Sequence, residues 1–67
     1  MGRMDFPKIS LKAARINAEM EESEAARQIG ICRNTLRNYE KRRTKPKIAI
    51  RERMAKVYGI PLEYLGD

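Results

Sequence analysis

Apolar residues recur at helical spacing along the chain, and no long stretch alternates apolar and polar positions as a half-buried strand would. Ser10 is a suitable N-cap before Leu11, so a first helix is predicted over residues 10–20. Leu11 and Ala14 face inward on this helix, and Arg15 falls on the same side. An inward arginine requires a partner of opposite charge.

A short second helix is predicted from Glu22 to Gln28 or Ile29. Gly30 follows the last apolar position and ends the helix, because glycine adopts positive φ without steric penalty. A third helix begins at about Arg33 and ends before a loop at residues 44–46. The second and third helices are therefore close neighbours in sequence, joined by a minimal connection.

A fourth helix is predicted over about residues 47–58, with Ile48 and Met54 on one side. Gly59 stops this helix, and a last turn follows at residues 62–65. The pattern therefore predicts an all-α fold of four helices and a terminal turn.

The second and third helices have the features of a helix-turn-helix. Ala26 is small where the two helices cross, and Gly30 lies in the turn. Ile31 and Leu36 are apolar residues that would hold the helices together.

The composition favours a binding domain over an enzyme. At 67 residues the chain forms one domain at most, and 42% hydrophobic residues suffice for a compact core. It contains no histidine and a single cysteine, Cys32, which excludes a histidine base, a Cys–His pair and the usual zinc sites. We expect no catalytic residues, no metal and no cofactor. The N-terminus lacks the apolar run of a signal peptide and no segment is long enough to span a membrane, so we expect a cytoplasmic protein.

The net charge of +6 is unevenly distributed. Residues 33–47, called here the basic block, hold seven positive charges against one acid, Glu40. Residues 19–24, the acidic corner, hold four glutamates and no basic residue. A charge run can be a solvated face that maintains solubility, whereas a concentrated basic block can also bind the phosphates of a nucleic acid.

Several segments together resemble the phage repressor/Cro helix-turn-helix family. They are ISLKAARINA at residues 9–18, EAARQIGI at 24–31, NYEK at 38–41, TKP at 44–46 and AKVYGIPLEYL at 55–65. The resemblance implies a compact five-helix, lambda-repressor-like DNA-binding domain at residues 9–66, preceded by an N-terminal arm at residues 1–8. Family members pair an arginine on the first helix with a glutamate near the end of the recognition helix. The matching positions are Arg15 and Glu40, which we expect to form a structural ion pair.

The third helix carries side chains that suit base recognition. Arginine can bond guanine O6 and N7 together, and asparagine can bond adenine N6 and N7. Helical spacing puts these residue types on one face, and the resemblance assigns base contacts to the start of the helix. The candidate base contacts are Arg33, Asn34, Thr35, Arg37 and Asn38, with Arg37 open between a base and a phosphate. The candidate phosphate contacts are Lys41, Arg42, Arg43, Lys45 and Lys47.

Three features depart from the family pattern. Glu21 and Glu22 stand where the family has a polar cap followed by a phosphate-binding glutamine. Arg42 stands where a glycine usually ends the recognition helix, and Arg51 where an inward leucine is common.

The resulting hypothesis is a sequence-specific transcriptional regulator, most simply a repressor, that binds double-stranded DNA as a homodimer. The dimer contact is expected from residues 60–65 or the N-terminal arm. The alternative is a protein-interaction module, such as an antirepressor or antitoxin-like partner, that binds through the acidic corner.

Overall fold

A computed structural model of the protein describes residues 8–66. Within that range the fold is all-α, as predicted, and the residues outside α-helices form one 3-10 turn, loops and a single isolated β-bridge. The elements are α1 (Leu11–Asn17), α2 (Glu22–Ile29), α3 (Arg33–Glu40), α4 (Ile48–Tyr58) and a terminal 3-10 turn (Leu62–Tyr64). The element that the family resemblance leads one to expect as a fifth helix is this three-residue turn. Apart from Lys8, the N-terminal arm predicted at residues 1–8 lies outside the described range. No helix in the described range is long and apolar enough to cross a membrane.

Local signals explain where α1 begins and ends. The Ser10 side chain accepts a hydrogen bond from the Ala13 backbone N–H at 3.0 Å, which confirms it as the N-cap. The helix stops at Asn17, three residues earlier than predicted. Glu19 adopts the left-handed conformation with φ of 58°, and a helix cannot continue through that backbone geometry.

The turn between α2 and α3 depends on Gly30, whose φ is 93°. A Cβ built at this position would lie 3.2 Å from Nη1 of Arg53, so the site is tight as well as left-handed. The same Nη1 donates a hydrogen bond to the Ile29 carbonyl at 3.2 Å. Arg53 of α4 thus provides a hydrogen-bond donor for a carbonyl at the C-terminal end of α2. This contact fixes the end of α2 relative to α4.

A Schellman motif ends α3. The Arg43 N–H bonds to the Asn38 carbonyl at 2.9 Å, and the Arg42 N–H bonds to the Tyr39 carbonyl at 3.0 Å. Arg42 has a φ of 62°, the left-handed conformation in which glycine is normally found. The departure noted at this position in the sequence therefore leaves the expected backbone shape intact, with a charged side chain on it.

The core lies between the four helices and the terminal turn. Its largest fully buried side chains are Leu11, Ile29, Leu36, Met54 and Leu65. The prediction that Ile48 faces this core with Met54 is wrong, because Ile48 is 61% exposed. Six residues at 3.6 per turn place the two side chains about 120° apart around α4, and Ile48 is the first residue of the helix.

The two ends of the described range pair with each other. Ile9 and Leu65 form a parallel bridge, in which the Ile9 N–H bonds to the Tyr64 carbonyl at 2.9 Å and the Gly66 N–H bonds to the Ile9 carbonyl at 2.7 Å. Arg51, which replaces the inward leucine of the family pattern, is half-buried and donates to the Leu65 carbonyl. The domain therefore closes on itself beside α4.

Candidate nucleic-acid interface

The outer face of α3 is polar and accessible. Leu36 is fully buried and holds the helix against the core. Arg33 and Asn34, at the start of the helix, are exposed, while Arg37 and Asn38, one turn later, are half-buried. The structure therefore brings the two arginines and two asparagines of the predicted base-contact set onto one side of one helix.

The buried Arg15–Glu40 pair ties α3 to α1. Nε of Arg15 donates to Oε2 of Glu40 at 2.7 Å, and Nη2 donates to Oε1 at 3.2 Å. A third donor, Nη1, bonds to the Met20 carbonyl at 3.0 Å. The Glu40 hydrogen bond raises the pKa of Arg15, although burial opposes this shift. The planar guanidinium thus fixes the end of α3 relative to α1 and to the segment that leads into α2.

Glu22, the first residue of α2, contacts two of the predicted base-contact residues. Its Oε1 accepts a hydrogen bond from Nη2 of Arg37 at 3.0 Å and lies 3.4 Å from Nε of Arg33. The pKa of Glu22 is lowered, chiefly by the hydrogen bond from Arg37. Both arginines therefore meet a carboxylate on the neighbouring helix, an arrangement that the sequence analysis did not foresee.

Thr35, another predicted base contact, is engaged locally. Sγ of Cys32 and Oγ1 of Thr35 lie 3.1 Å apart in a hydrogen bond that either atom can donate. This bond lowers the pKa of the Cys32 thiol. Cys32 is the N-cap residue of α3, but its side chain makes no hydrogen bond to the backbone of the helix. Thr35 is half-buried, which makes it less accessible than Arg33 and Asn34.

The predicted phosphate contacts follow directly after α3. Pro46 is buried and anchors the loop that carries them. The five cations lie on the C-terminal side of the polar face and continue its positive charge toward α4. All of them are exposed: Lys41, Arg42, Arg43, Lys45 and Lys47.

The acidic corner is partly neutralised within the protein. Glu24 bonds to Nη2 of Arg27 at 2.6 Å and to Nε2 of Gln28 at 2.6 Å, so its charge is balanced along α2 itself. The charge of Glu22 is balanced by the two arginines of α3, Arg33 and Arg37. Glu19 and Glu21 are exposed, and neither forms an ion pair with any other residue of the described range.

A polar groove of about 420 Å³ opens beside these groups, where the ends of α1, α2 and α3 meet. Its lining mixes both signs of charge: Lys12, Arg15, Met20, Glu21, Glu22, Ser23 and Arg33. Within residues 8–66, no three His, Cys, Asp or Glu side chains are grouped so that they could hold a metal ion.

Two contacts were not predicted from the sequence: Glu22 with the α3 arginines, at this surface, and Arg53 of α4 with the end of α2. Both join residues on different helices, so no regular i, i+3 or i, i+4 spacing reveals them. The one available signal was the acidic residue at the position where the family pattern has glutamine.

Comparison with known proteins is consistent with this geometry. The sequence profile described as helix-turn-helix matches residues 11–65. The chain is also similar to the cryptic phage CTXphi transcriptional repressor RstR of Vibrio cholerae, with 34% identity over 55 residues. That alignment covers 82% of this chain and 50% of the repressor, so the chain spans about half the length of this relative. No solved structure matches the chain.

Proposed function

Since the chain belongs to the helix-turn-helix family, we propose that it is a sequence-specific DNA-binding transcriptional regulator, and specifically a repressor. α3 enters the major groove, where Arg33, Asn34 and Asn38 read base edges. The similarity to a protein named as a transcriptional repressor supports the direction of regulation.

One observation carries the proposal: Arg33 and Asn34 are exposed at the start of a helix whose opposite side is fixed by packing and by an ion pair. Leu36 is fully buried and Glu40 is bound by Arg15, so α3 cannot rotate without breaking the core. Specific recognition needs side chains that a fixed scaffold presents in one register. Surface arginines on a loosely held helix would bind phosphates equally well but would not discriminate between bases.

The cations after α3 provide affinity that does not depend on sequence. If all five contact phosphates, their release of counterions gives a log–log salt slope of about −4.5 for each subunit. A repressor of this kind acts as a two-fold dimer on half-sites spaced by one DNA turn, about 34–36 Å. Ile60 and Leu62, at the start of the terminal turn, pack against the core but stay partly exposed, and we expect the dimer contact there.

A comparison of two DNA duplexes tests the function. An operator is first selected from random sequence with the parent protein, and its affinity is compared with that of a scrambled duplex over a range of salt concentrations. We expect the parent to prefer the operator by about 10³-fold or more. Replacing both Arg33 and Asn34 by alanine should remove at least tenfold of that preference, because each good base contact contributes about 1–3 kcal/mol of discrimination.

Lys56→Ala is the matched control, because it removes one exposed positive charge from α4, outside the proposed interface. Its preference for the operator should equal that of the parent. The proposal is rejected if the parent binds both duplexes equally, or if the Arg33→Ala, Asn34→Ala variant keeps the parent's preference.

The protein-interaction alternative has less support. It depends on the acidic corner, and two of the four carboxylates there are already bound by Arg27, Arg33 and Arg37. A stoichiometric protein complex that is unaffected by the two alanine substitutions would favour this alternative.

A further inference from the structure

The contact between Glu22 and the α3 arginines has a direct consequence for DNA reading. Arg33 and Arg37 are the cations at the centre of the proposed reading face, and 58% and 41% of their side-chain surface is exposed. Any polyanion that approaches α3 meets these two charges. A carboxylate already in contact with both changes what they can offer to DNA.

The hydrogen bonding leaves Arg37 able to read a base while it stays bound to Glu22. A guanidinium has five N–H donors, and guanine recognition uses two of them. Glu22 accepts one hydrogen bond from Arg37, through Nη2, and both contacts use the same carboxylate oxygen, Oε1. The carboxylate therefore fixes the orientation of the Arg37 guanidinium and leaves enough N–H donors for two hydrogen bonds to a guanine.

We propose that Glu22 is a positioning residue for specific DNA recognition, which orients Arg37 for base contact and reduces the attraction of the α3 arginines for DNA of arbitrary sequence. This inference rests on the proposed function. It assigns a part of the discrimination between operator and other DNA to a residue of α2 that does not itself touch a base.

Two physical effects act in the same direction. An arginine that is already oriented loses less rotamer freedom on binding, which favours the operator complex. A neighbouring negative charge also weakens the attraction of these arginines for phosphates, which is the contact they make at non-specific sites, whereas at the operator Arg37 bonds to a base edge instead. Together they widen the difference between operator and random DNA, which is the quantity that matters for a regulator.

Glu21 provides a matched control on the same helix end. It is the N-cap residue of α2, it is exposed, and it forms no ion pair with another described residue. Both glutamates interact favourably with the positive end of the α2 dipole, so loss of that effect is common to both substitutions. Only Glu22 contacts the arginines of α3.

The experiment compares Glu22→Ala with Glu21→Ala on the selected operator and on random duplex. For Glu22→Ala we expect tighter binding to random DNA, with a salt slope that is steeper by about one. Operator affinity should stay equal or fall, so the ratio of the two affinities drops about tenfold. Glu21→Ala should keep the ratio within about twofold of the parent.

A double-mutant cycle identifies the partner. If Glu22 acts through Arg37, then Glu22→Ala should change the ratio much less in an Arg37→Gln background than in the parent. Thermal unfolding of each variant, with binding measured well below its midpoint, shows that the protein is folded in every assay.

The inference is overturned if Glu22→Ala and Glu21→Ala have the same effect on the ratio, since charge alone would then account for both. It is also overturned if Glu22→Ala changes the ratio equally with and without Arg37. Neither result affects the proposed function, which fails if the parent does not discriminate between the duplexes or if the Arg33→Ala, Asn34→Ala variant keeps the parent's preference.

Discussion

Arg15 on α1 and Glu40 at the end of α3 are joined by two hydrogen bonds across 25 residues of sequence, and their side chains are only 8% and 4% exposed. The pair holds the proposed recognition helix against the first helix. The pair fixes the position of α3 relative to α1, so we expect its removal to lower the free energy of unfolding.

Glu40→Ala should lower the free energy of unfolding by about 3–5 kcal/mol, because it leaves the Arg15 charge buried without a partner. Urea denaturation followed by circular dichroism measures this change. Glu52→Ala, at an exposed position of α4, is the control and should change stability by less than about 0.5 kcal/mol. A Glu40→Ala effect as small as the control would show that the pair does not hold α3 in place.

Tyr58 presents the opposite case, a buried polar atom without a partner. Its hydroxyl has no hydrogen bond to any residue between 8 and 66, and the residue is 5% exposed. An unsatisfied buried hydroxyl is unfavourable, so Tyr58→Phe should leave stability unchanged or raise it by about 1 kcal/mol. A loss of more than about 1 kcal/mol in thermal unfolding would contradict this expectation and indicate a hydrogen bond to the hydroxyl.

The same tyrosine predicts an alkaline effect. Burial raises the pKa of Tyr58 from 10 to about 12, and the nearby Glu40 charge adds to the shift. Above pH 10 the unfolded chain loses this proton more readily than the folded one, so the free energy of unfolding should fall as the pH rises from 10 to 12. Stability measured over this range in the parent and in Tyr58→Phe should show a shallower decline in the variant. Parallel curves would contradict the assignment.

Arg42 combines a glycine-type backbone with a charge in the basic block. Arg42→Gly should relieve about 0.5–1 kcal/mol of backbone strain from the left-handed conformation, while loss of the charge weakens DNA binding and makes the salt slope less steep by about one. Lys41→Gly removes the same charge at a residue whose φ is −88°, so it should weaken binding without any gain in stability. Equal stability changes in the two variants would rule out backbone strain at Arg42.

Acid should weaken the ion pairs of α2. Hydrogen bonds from Arg37 to Glu22, and from Arg27 and Gln28 to Glu24, lower the pKa of each carboxyl below its ordinary value of about 4.5. The stability that these pairs provide is present above pH 4.5 and is lost as the pH falls through the lowered values. Replacing Glu22 and Glu24 by glutamine should flatten the acid branch of the stability curve, measured by urea denaturation at a series of pH values, and an unchanged acid branch would contradict the assignment.

The helices were predictable because their signals are local. Ser10 before Leu11 and Gly30 after Ile29 mark a helix start and a helix end through one or two residues, and the structure confirms both. The error at Ile48 has a different origin. Ile48 is apolar and lies within the helix, so a simple count of apolar positions includes it. Whether it reaches the core depends on its angle around the helix axis relative to the buried Met54.

The surface was harder to predict than the fold. Exposed candidate residues on α3 follow from helical spacing, but the partner that binds them does not. Glu22 meets Arg37 because the Gly30 turn brings the start of α2 alongside α3, and no pairwise rule along the sequence encodes that approach. The Arg15–Glu40 pair was expected only through the family resemblance, although the inward arginine indicated that some acid had to be near.

The bridge between Ile9 and Leu65 brings the two ends of the described range, residues 8 and 66, next to each other. Because Gly66 lies close to Lys8 and the Ile9 carbonyl, a short flexible linker could join residue 66 to residue 8 in a variant without residues 1–7 and 67. New ends could then be opened at the exposed residues 44–45, just beyond the Schellman motif. Such a circular permutant should fold to the same arrangement of helices, since the contacts that define the domain do not depend on which element the ribosome makes first.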